Sequence, residues 1–225
     1  MTDCGRTPRI KICGLRDEET IAQMNGLAFD ELGFVFAPSK RQVAPAEAGK
    51  LAQAVSRIRT AGGESPRTVG VFVNAQPEEL AEAVRAAGLN VAQLHGAEDA
   101  EYCLAVKREL AIDVWKVFSI GKENEEASAA ERLAPFRGAI DAVLVDTAGG
   151  GTGRTFDWQL IETYRQAAAE IGVPLYVAGG LHPGNVRELL DGYRPDGIDV
   201  SSGVETDGRK DIDKIKLFIE KVIQR

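Results

Sequence analysis

The sequence predicts a single closed (β/α)8 TIM barrel spanning residues 1–225, and three observations carry that prediction. Eight short β-rich runs recur along the chain. The segments between them show helical apolar spacing and helix-start signals. No linker or composition break marks a second domain. Strand–helix alternation implies parallel strands joined by helical crossovers, and eight such units in 225 residues fit a closed barrel. A doubly wound open sheet is the structural alternative. It lacks support because no strand leads into a complete dinucleotide fingerprint. Gly149-Gly150-Gly151-Thr152-Gly153-Arg154 follows a strand, but no acidic ribose ligand lies at the right distance beyond it.

The elements follow in order. The run Arg9–Gly14 alternates, with Ile10 and Ile12 on one face and Lys11 and Cys13 on the other. It stops at a glycine before a helix-like stretch with Asp17, Glu18 and Glu19. Glu31–Phe36 leads into Pro38-Ser39-Lys40-Arg41. Thr68–Val73 precedes Pro77-Glu78-Glu79, where proline suits the first helical turn and the acids complement the macrodipole. Val91–Gly96 precedes a helix opened by Glu98-Asp99, in which Cys103 packs with Leu104 and Val106. Asp113–Ile120 and Ala142–Thr147 come next, then the Gly-rich stretch Ala148–Thr155 and a helix with Asp157 as N-cap. Pro174–Gly180 and Gly197–Gly203 complete the strands. Pro183-Gly184-Asn185 starts the helix between them. Asp211–Ile223 closes the chain as an amphipathic helix, with Ile212, Ile215, Leu217, Phe218, Ile219 and Val222 on its apolar side.

Composition bounds the partners. Apolar residues make up 44% and charged residues 27% of the chain, enough for a large core without staples. The net charge is −7, and no segment concentrates Lys and Arg along a phosphate track, so nucleic acid is not an expected partner. The N-terminus lacks a signal-like apolar core, and no run approaches the roughly 18 apolar residues of a membrane span. Three cysteines without metal-like spacing suggest free thiols in a reducing, cytoplasmic compartment. Cys4 lies in a polar tail and is assigned no role.

In such barrels the carboxyl ends of the strands carry the chemistry. The runs end, in order, with Cys13, with the approach to Arg41, with His95-Gly96, with Asp146-Thr147, with Gly179-Gly180, and with Asp199-Val200-Ser201-Ser202-Gly203. Singly, each has an ordinary structural reading. A lone Cys is more often a small buried hydrophobe, a terminal His a satisfied structural group, Asp146 a turn cap and Arg41 a solvated charge. Their coincidence at one rim outweighs those readings. Gly179, Gly180, Ser201, Ser202 and Gly203 fall on the two strands that carry the common barrel phosphate site, where glycines admit backbone N–H groups and a short helix adds its dipole. Arg154 either assists there or is exposed. Cys13 and Asp146 lie across the barrel mouth, a geometry suited to acid–base work on two ends of one substrate. One His and one Cys are too few for a metal site.

These residues resemble the phosphoribosylanthranilate isomerase family of tryptophan biosynthesis. The likeness runs through Lys11-Ile12-Cys13-Gly14, Gly33-Phe34-Val35-Phe36 with Ser39-Lys40-Arg41, and Val69-Gly70-Val71-Phe72-Val73-Asn74. It continues through Val91-Ala92-Gln93-Leu94-His95-Gly96, Asp146-Thr147, Gly151-Thr152-Gly153, and Thr155-Phe156-Asp157-Trp158. Ala178-Gly179-Gly180-Leu181, Asn185-Val186 and Ile198–Glu205 complete it. The departures are a short Ala148–Gly150 segment and Thr152 where relatives often carry Ser. The resemblance implies an Amadori rearrangement of N-(5-phosphoribosyl)anthranilate to the open-chain 1-(2-carboxyphenylamino)-1-deoxyribulose 5-phosphate. Asp146 would be the general acid on the ring oxygen, and Cys13 the general base at C2. Arg41 would grip the anthranilate carboxylate, with His95 and Asp199 as further substrate-binding residues. Lys11, on the same strand face, is a neighbouring cation for the thiolate. The reaction needs no cofactor, because the imine is its own electron sink. The implied partner is a phosphorylated small molecule, bound by a monomer or homodimer.

Three competing readings have discriminators. A histidine-pathway-type isomerase shares the fold but uses Asp at the strand 1 position held here by Cys13. Indole-glycerol-phosphate synthase would show an early catalytic Lys and an N-terminal extension. A non-catalytic phosphometabolite-binding barrel would have no need of both Cys13 and Asp146.

Overall fold

Alternation along each strand decides which side chains enter the barrel. The structure, a computed structural model, describes residues 7–120, 128–147 and 158–224. In β1 (Arg9–Cys13), Ile10 and Ile12 pack outward in the main apolar core, while Lys11 and Cys13 turn inward. The strands β2 (Glu31–Val35), β3 (Arg67–Phe72), β4 (Val91–Leu94), β5 (Asp113–Ile120), β6 (Ala142–Thr147), β7 (Leu175–Val177) and β8 (Gly197–Val200) follow in chain order. All pair in parallel, and β8 returns to β1 to close the barrel. The register sets Cys13 beside Gly33 and Lys11 beside Asp199.

Two apolar cores result. Inside the barrel, Val69, Val91, Trp115, Val117, Ala142, Leu144, Tyr176 and Ala178 fill the space. The Trp115 and Tyr176 rings lie 4.4 Å apart between centroids. Tyr176 needs Gly197 opposite it, because a Cβ there would come within 2.3 Å of the ring. Outside the barrel, residues such as Leu32, Phe34, Val143, Val145, Ile198 and Val200 meet the helices. Below the inner core, the fully buried Glu31 accepts from Tyr176 Oη at 3.2 Å and pairs with Arg9. Burial pushes its carboxyl up to about 7, and the Arg9 charge does not offset that.

The helices are α1 (Glu18–Gln23), α2 (Pro45–Ser56), α3 (Pro77–Ala87), α4 (Ala100–Leu110), α5 (Ala129–Leu133), α6 (Leu160–Ile171), α7 (Val186–Tyr193) and α8 (Ile212–Ile223). Several start where their capping residues dictate. Asp17 accepts from Thr20 N at 2.7 Å, Asp99 from Tyr102 N at 2.8 Å, and Asp211 from Asp213 N at 3.0 Å. Gln76 and Glu79 form a capping box ahead of α3. The expected cap at Asp157 lies outside the described residues.

Four expectations need correction. β4, β7 and β8 end sooner than their apolar runs, because the chain turns at the rim; Gly179 and Gly180 take φ of +89° and +64°. Glu98 does not begin α4 but turns inward to pair with Lys116. Leu217 is 42% exposed rather than on the buried side of α8. A small hairpin, β9 (Glu205–Thr206) with β10 (Arg209–Lys210), sits between β8 and α8, where the sequence reading placed no strand. No helix among the described residues is long and apolar enough to cross a membrane.

Candidate active site

The carboxyl ends of the strands surround a cavity of about 340 Å³. Nine of the ten residues singled out in the sequence line it: Cys13, Arg41, His95, Asp146, Gly179, Gly180, Asp199, Ser201 and Ser202. Gly203 stands behind the lining. A Cβ there would come within 1.8 Å of the Leu181 carbonyl oxygen, so glycine lets the β8 loop press against the β7 loop. Arg154 lies outside the described residues.

Cys13 is seated by its neighbours. A Cβ on Gly33 would approach its Sγ to 2.8 Å, so the glycine opposite makes room for the thiol. Ser201 Oγ donates to the Cys13 carbonyl at 3.1 Å and ties β1 to the β8 loop. Next to the thiol, the fully buried Lys11 donates to Asp199 Oδ2 at 2.9 Å. Burial works against the Lys11 charge, yet Asp199 and Cys13 together hold its ammonium above the ordinary lysine range. Burial also pushes the Cys13 thiol up. Lys11 pulls it down and Asp199 pushes it up again, and the net direction is upward. Lys11 therefore favours the thiolate, as expected, but in the free pocket its charge is shared with Asp199.

On the far side, His95 Nε2 lies 3.7 Å from Asp146 Oδ2. Burial, and then the Lys116 charge, lowers the His95 pKa, so the imidazole is neutral at pH 7. Lys116 also fixes the backbone around it. Its Nζ donates to the Leu94 and Gly96 carbonyls, which flank His95, at 3.2 and 2.8 Å, and to Glu98 at 3.1 Å. Glu98 in turn accepts from Gly96 N and Asn74 N, at 2.8 and 2.7 Å.

Arg41 is not a free loop charge. It forks onto Glu205 through Nε and one terminal nitrogen at 2.7 and 2.8 Å while lining the cavity. Lys210, nearly fully buried, also pairs with Glu205, at 2.6 Å, and donates to the Ser201 carbonyl at 2.8 Å. Burial raises the Glu205 carboxyl, but Arg41 and Lys210 overcome it and hold it down at about 2. Three cations (Lys11, Arg41, Lys210) face two carboxylates (Asp199, Glu205) on this side, an excess of positive charge suited to an anionic ligand.

Sequence reading missed Gln93, Glu205, Lys210 and the Lys116–Glu98 pair. Gln93 carried a signal, standing two residues before His95 and so on the same inward face. The other pairings depend on a hairpin and on an inward-turned loop, which no local pattern announced.

A thiol, a carboxyl and a neutral imidazole meet over a cationic, glycine-rimmed pocket at the mouth of a parallel barrel. That combination defines an acid–base enzyme of the phosphosugar-handling (β/α)8 class. The family model described as N-(5'phosphoribosyl)anthranilate (PRA) isomerase matches residues 10–221. An N-(5'-phosphoribosyl)anthranilate isomerase of Brevibacillus brevis is 44% identical over 218 residues, covering 95% of this chain and 93% of the relative. The crystal structure of phosphoribosyl anthranilate isomerase from Thermotoga maritima is 37% identical, with a TM-score of 0.78 over 96% of this chain and 98% of that one. A phosphoribosyl anthranilate isomerase solved with reduced 1-(o-carboxyphenylamino)-1-deoxyribulose 5-phosphate is 35% identical, with a TM-score of 0.76 over 96% and 98%. The chain belongs to the N-(5'-phosphoribosyl)anthranilate isomerase family.

Proposed function

We propose that this chain performs the Amadori rearrangement of N-(5'-phosphoribosyl)anthranilate with Asp146 as acid and Cys13 as base. The observation that carries the assignment is that both groups face one cavity, between an arginine and a glycine-rich corner. Asp146 gives its proton to the furanose ring oxygen, and the C1–O bond breaks as the anthranilate nitrogen lone pair forms the C1=N bond of a protonated imine, leaving the ring oxygen as a hydroxyl. Cys13 removes the proton from C2. The C2–H electrons form the C1=C2 bond and the C1=N pair returns to nitrogen, giving an enolamine that tautomerises to the ketone. Arg41 takes the anthranilate carboxylate with the N–H groups that Glu205 leaves unused. Gly179, Gly180, Ser201 and Ser202 take the phosphate, and Gly203 keeps their two loops in contact. His95 orients the Asp146 side of the substrate, and Asp199 accepts from the sugar.

The base step needs thiolate, which burial disfavours in the free pocket. A substrate hydroxyl donating to Asp199 Oδ1 draws charge from that carboxylate. Lys11 then turns more of its attraction toward the sulfur.

Turnover of freshly generated substrate, followed by anthranilate fluorescence, tests the function. Continuous change well past one equivalent of enzyme supports it; saturation at one equivalent indicates a binding barrel without chemistry. We further place the protein in a reducing cytoplasm, in keeping with its free, buried Cys13 and Cys103. Its assembly is taken to be a monomer or homodimer, and the Thermotoga maritima relative is described as dimeric.

A further inference from the structure

We propose that Gln93 is a specificity-determining residue whose amide oxygen accepts a hydrogen bond from a hydroxyl on the sugar carbon chain of the substrate. This deepens the isomerase reading above and rests on it. Gln93 is 2% exposed and stands in the cavity wall. Its Oε1 is buried and accepts no hydrogen bond. Buried acceptors are nearly always satisfied, and an unsatisfied one at a ligand cavity is a cost that the ligand can remove. Asp199 repeats the pattern: Oδ2 is held by Lys11, while Oδ1 is buried and unpartnered. Among the described residues, Gln93 and Asp199 thus bring two acceptors without donors to the lining of the cavity.

The chemistry of the missing donor follows by position. The charged ends of the substrate have their own partners, Arg41 at one side and the Gly179–Gly180 and Ser201–Ser202 corner at the other. Both ends are acceptors and cannot satisfy Gln93. Between them lie the anthranilate N–H, which sits at the reacting carbon beside the carboxylate end, and the longer sugar carbon chain, which offers neutral O–H donors. An amide oxygen suits a neutral hydroxyl and adds no charge beside Asp199 and Asp146. Gln93 lies two residues before His95 on the inward face of β4, so the hydroxyl it reads lies deeper in the barrel than the His95–Asp146 pair.

Gln93→Met replaces the amide by an apolar chain of similar volume. The expected result is opposite movement of two readouts. Ligand-free Tm rises by about 2–4 °C, because the orphaned acceptor is gone. kcat/KM and affinity for reduced 1-(o-carboxyphenylamino)-1-deoxyribulose 5-phosphate both fall by about tenfold, the loss of one hydrogen bond. Affinity for inorganic phosphate stays unchanged. A variant that keeps parental turnover and analogue affinity overturns the proposal. So does one whose Tm and phosphate affinity fall together with turnover, since that marks a structural role.

Calorimetry on the parent protein with analogues lacking one sugar hydroxyl at a time needs no variant to fold. One of them should bind about tenfold more weakly than the full compound and lose nothing further in Gln93→Met. If every deoxy analogue binds the parent as tightly as the full compound, Gln93 reads no hydroxyl. A parent that binds the analogue series as expected but fails to turn over substrate defeats the isomerase reading, and the assignment of Gln93 to catalytic specificity falls with it.

Discussion

The proposed mechanism divides the chemistry between Asp146 and Cys13, which line one cavity, and each is set by what surrounds it. Gly33 makes room for the thiol, and Lys11 and Asp199 set its charge environment. His95, neutral and 3.7 Å away, accompanies Asp146. Asp146→Asn keeps the shape and can still donate a hydrogen bond, but it has no proton to transfer to the ring oxygen. Its kcat should fall by about 10²-fold or more, in line with general acid catalysis. Affinity for the open-chain product should change little, because that product needs no ring protonation. Steady-state turnover beside product titration checks this, and equal losses in both would remove Asp146 from the acid role. These two residues were legible because each ends a short apolar run, and the strand period fixes which way it points. Gln93 obeys the same period, but a glutamine inside a strand gives no chemical signal until the cavity around it is seen.

At the scale of elements, the site depends on loops held by buried ions. Lys116 and Glu98 are 4% and 3% exposed, and between them they bind the backbone on both sides of His95 and at Asn74. Removing one partner leaves the other buried and unpaired. Lys116→Met should therefore cost about 3–5 kcal/mol in urea unfolding. Adding Glu98→Gln to it should recover part of that loss, giving a coupling of about 0.5–3 kcal/mol. Strict additivity of the two substitutions would show that the pair does not act as a unit. Asp17, Asp99 and Asp211 each satisfy N–H groups of the helix they begin, at stretches read from the sequence as helical, whereas the one N-cap named there, Asp157, lies outside the described residues. Glu98 looked like part of such a signal. Its neighbour Asp99 is the cap, and only the tertiary pairing with β5 shows where Glu98 goes. The β9–β10 hairpin was illegible because two-residue strands have no periodicity to read.

The whole molecule is closed by the pairing of its first strand with its last, so we expect the chain to unfold as one domain in one cooperative transition. Parallel strands and a barrel were legible because eight alternating units of this length admit few other topologies. The far end of the barrel was not, because the Arg9–Glu31–Tyr176 group joins residues distant in sequence. It should make stability depend on pH. Glu31 is raised to about 7 in the fold, from an ordinary value of 4.5. Between these values the unfolded chain has released a proton that the native state keeps. Stability from this group is therefore complete below the ordinary value and lost as pH rises toward 7, by up to about 1.4 kcal/mol per pH unit. Glu31→Gln should abolish that contribution, so its stability relative to the parent should improve from pH 5 to pH 7 in urea titrations. An unchanged difference at the two pH values would mean that Glu31 ionises normally in the fold.

The most direct test of the acid–base account is the turnover of Cys13→Ser. Serine is close to cysteine in size, but its hydroxyl is far too weak a base at neutral pH. With freshly generated N-(5'-phosphoribosyl)anthranilate and fluorescence detection, the variant should lose about 10²-fold or more in kcat. Its Tm and its affinity for inorganic phosphate should stay close to those of the parent. Retention of most of the parental kcat would contradict the assignment of Cys13 as the base and, with it, the two-sided mechanism.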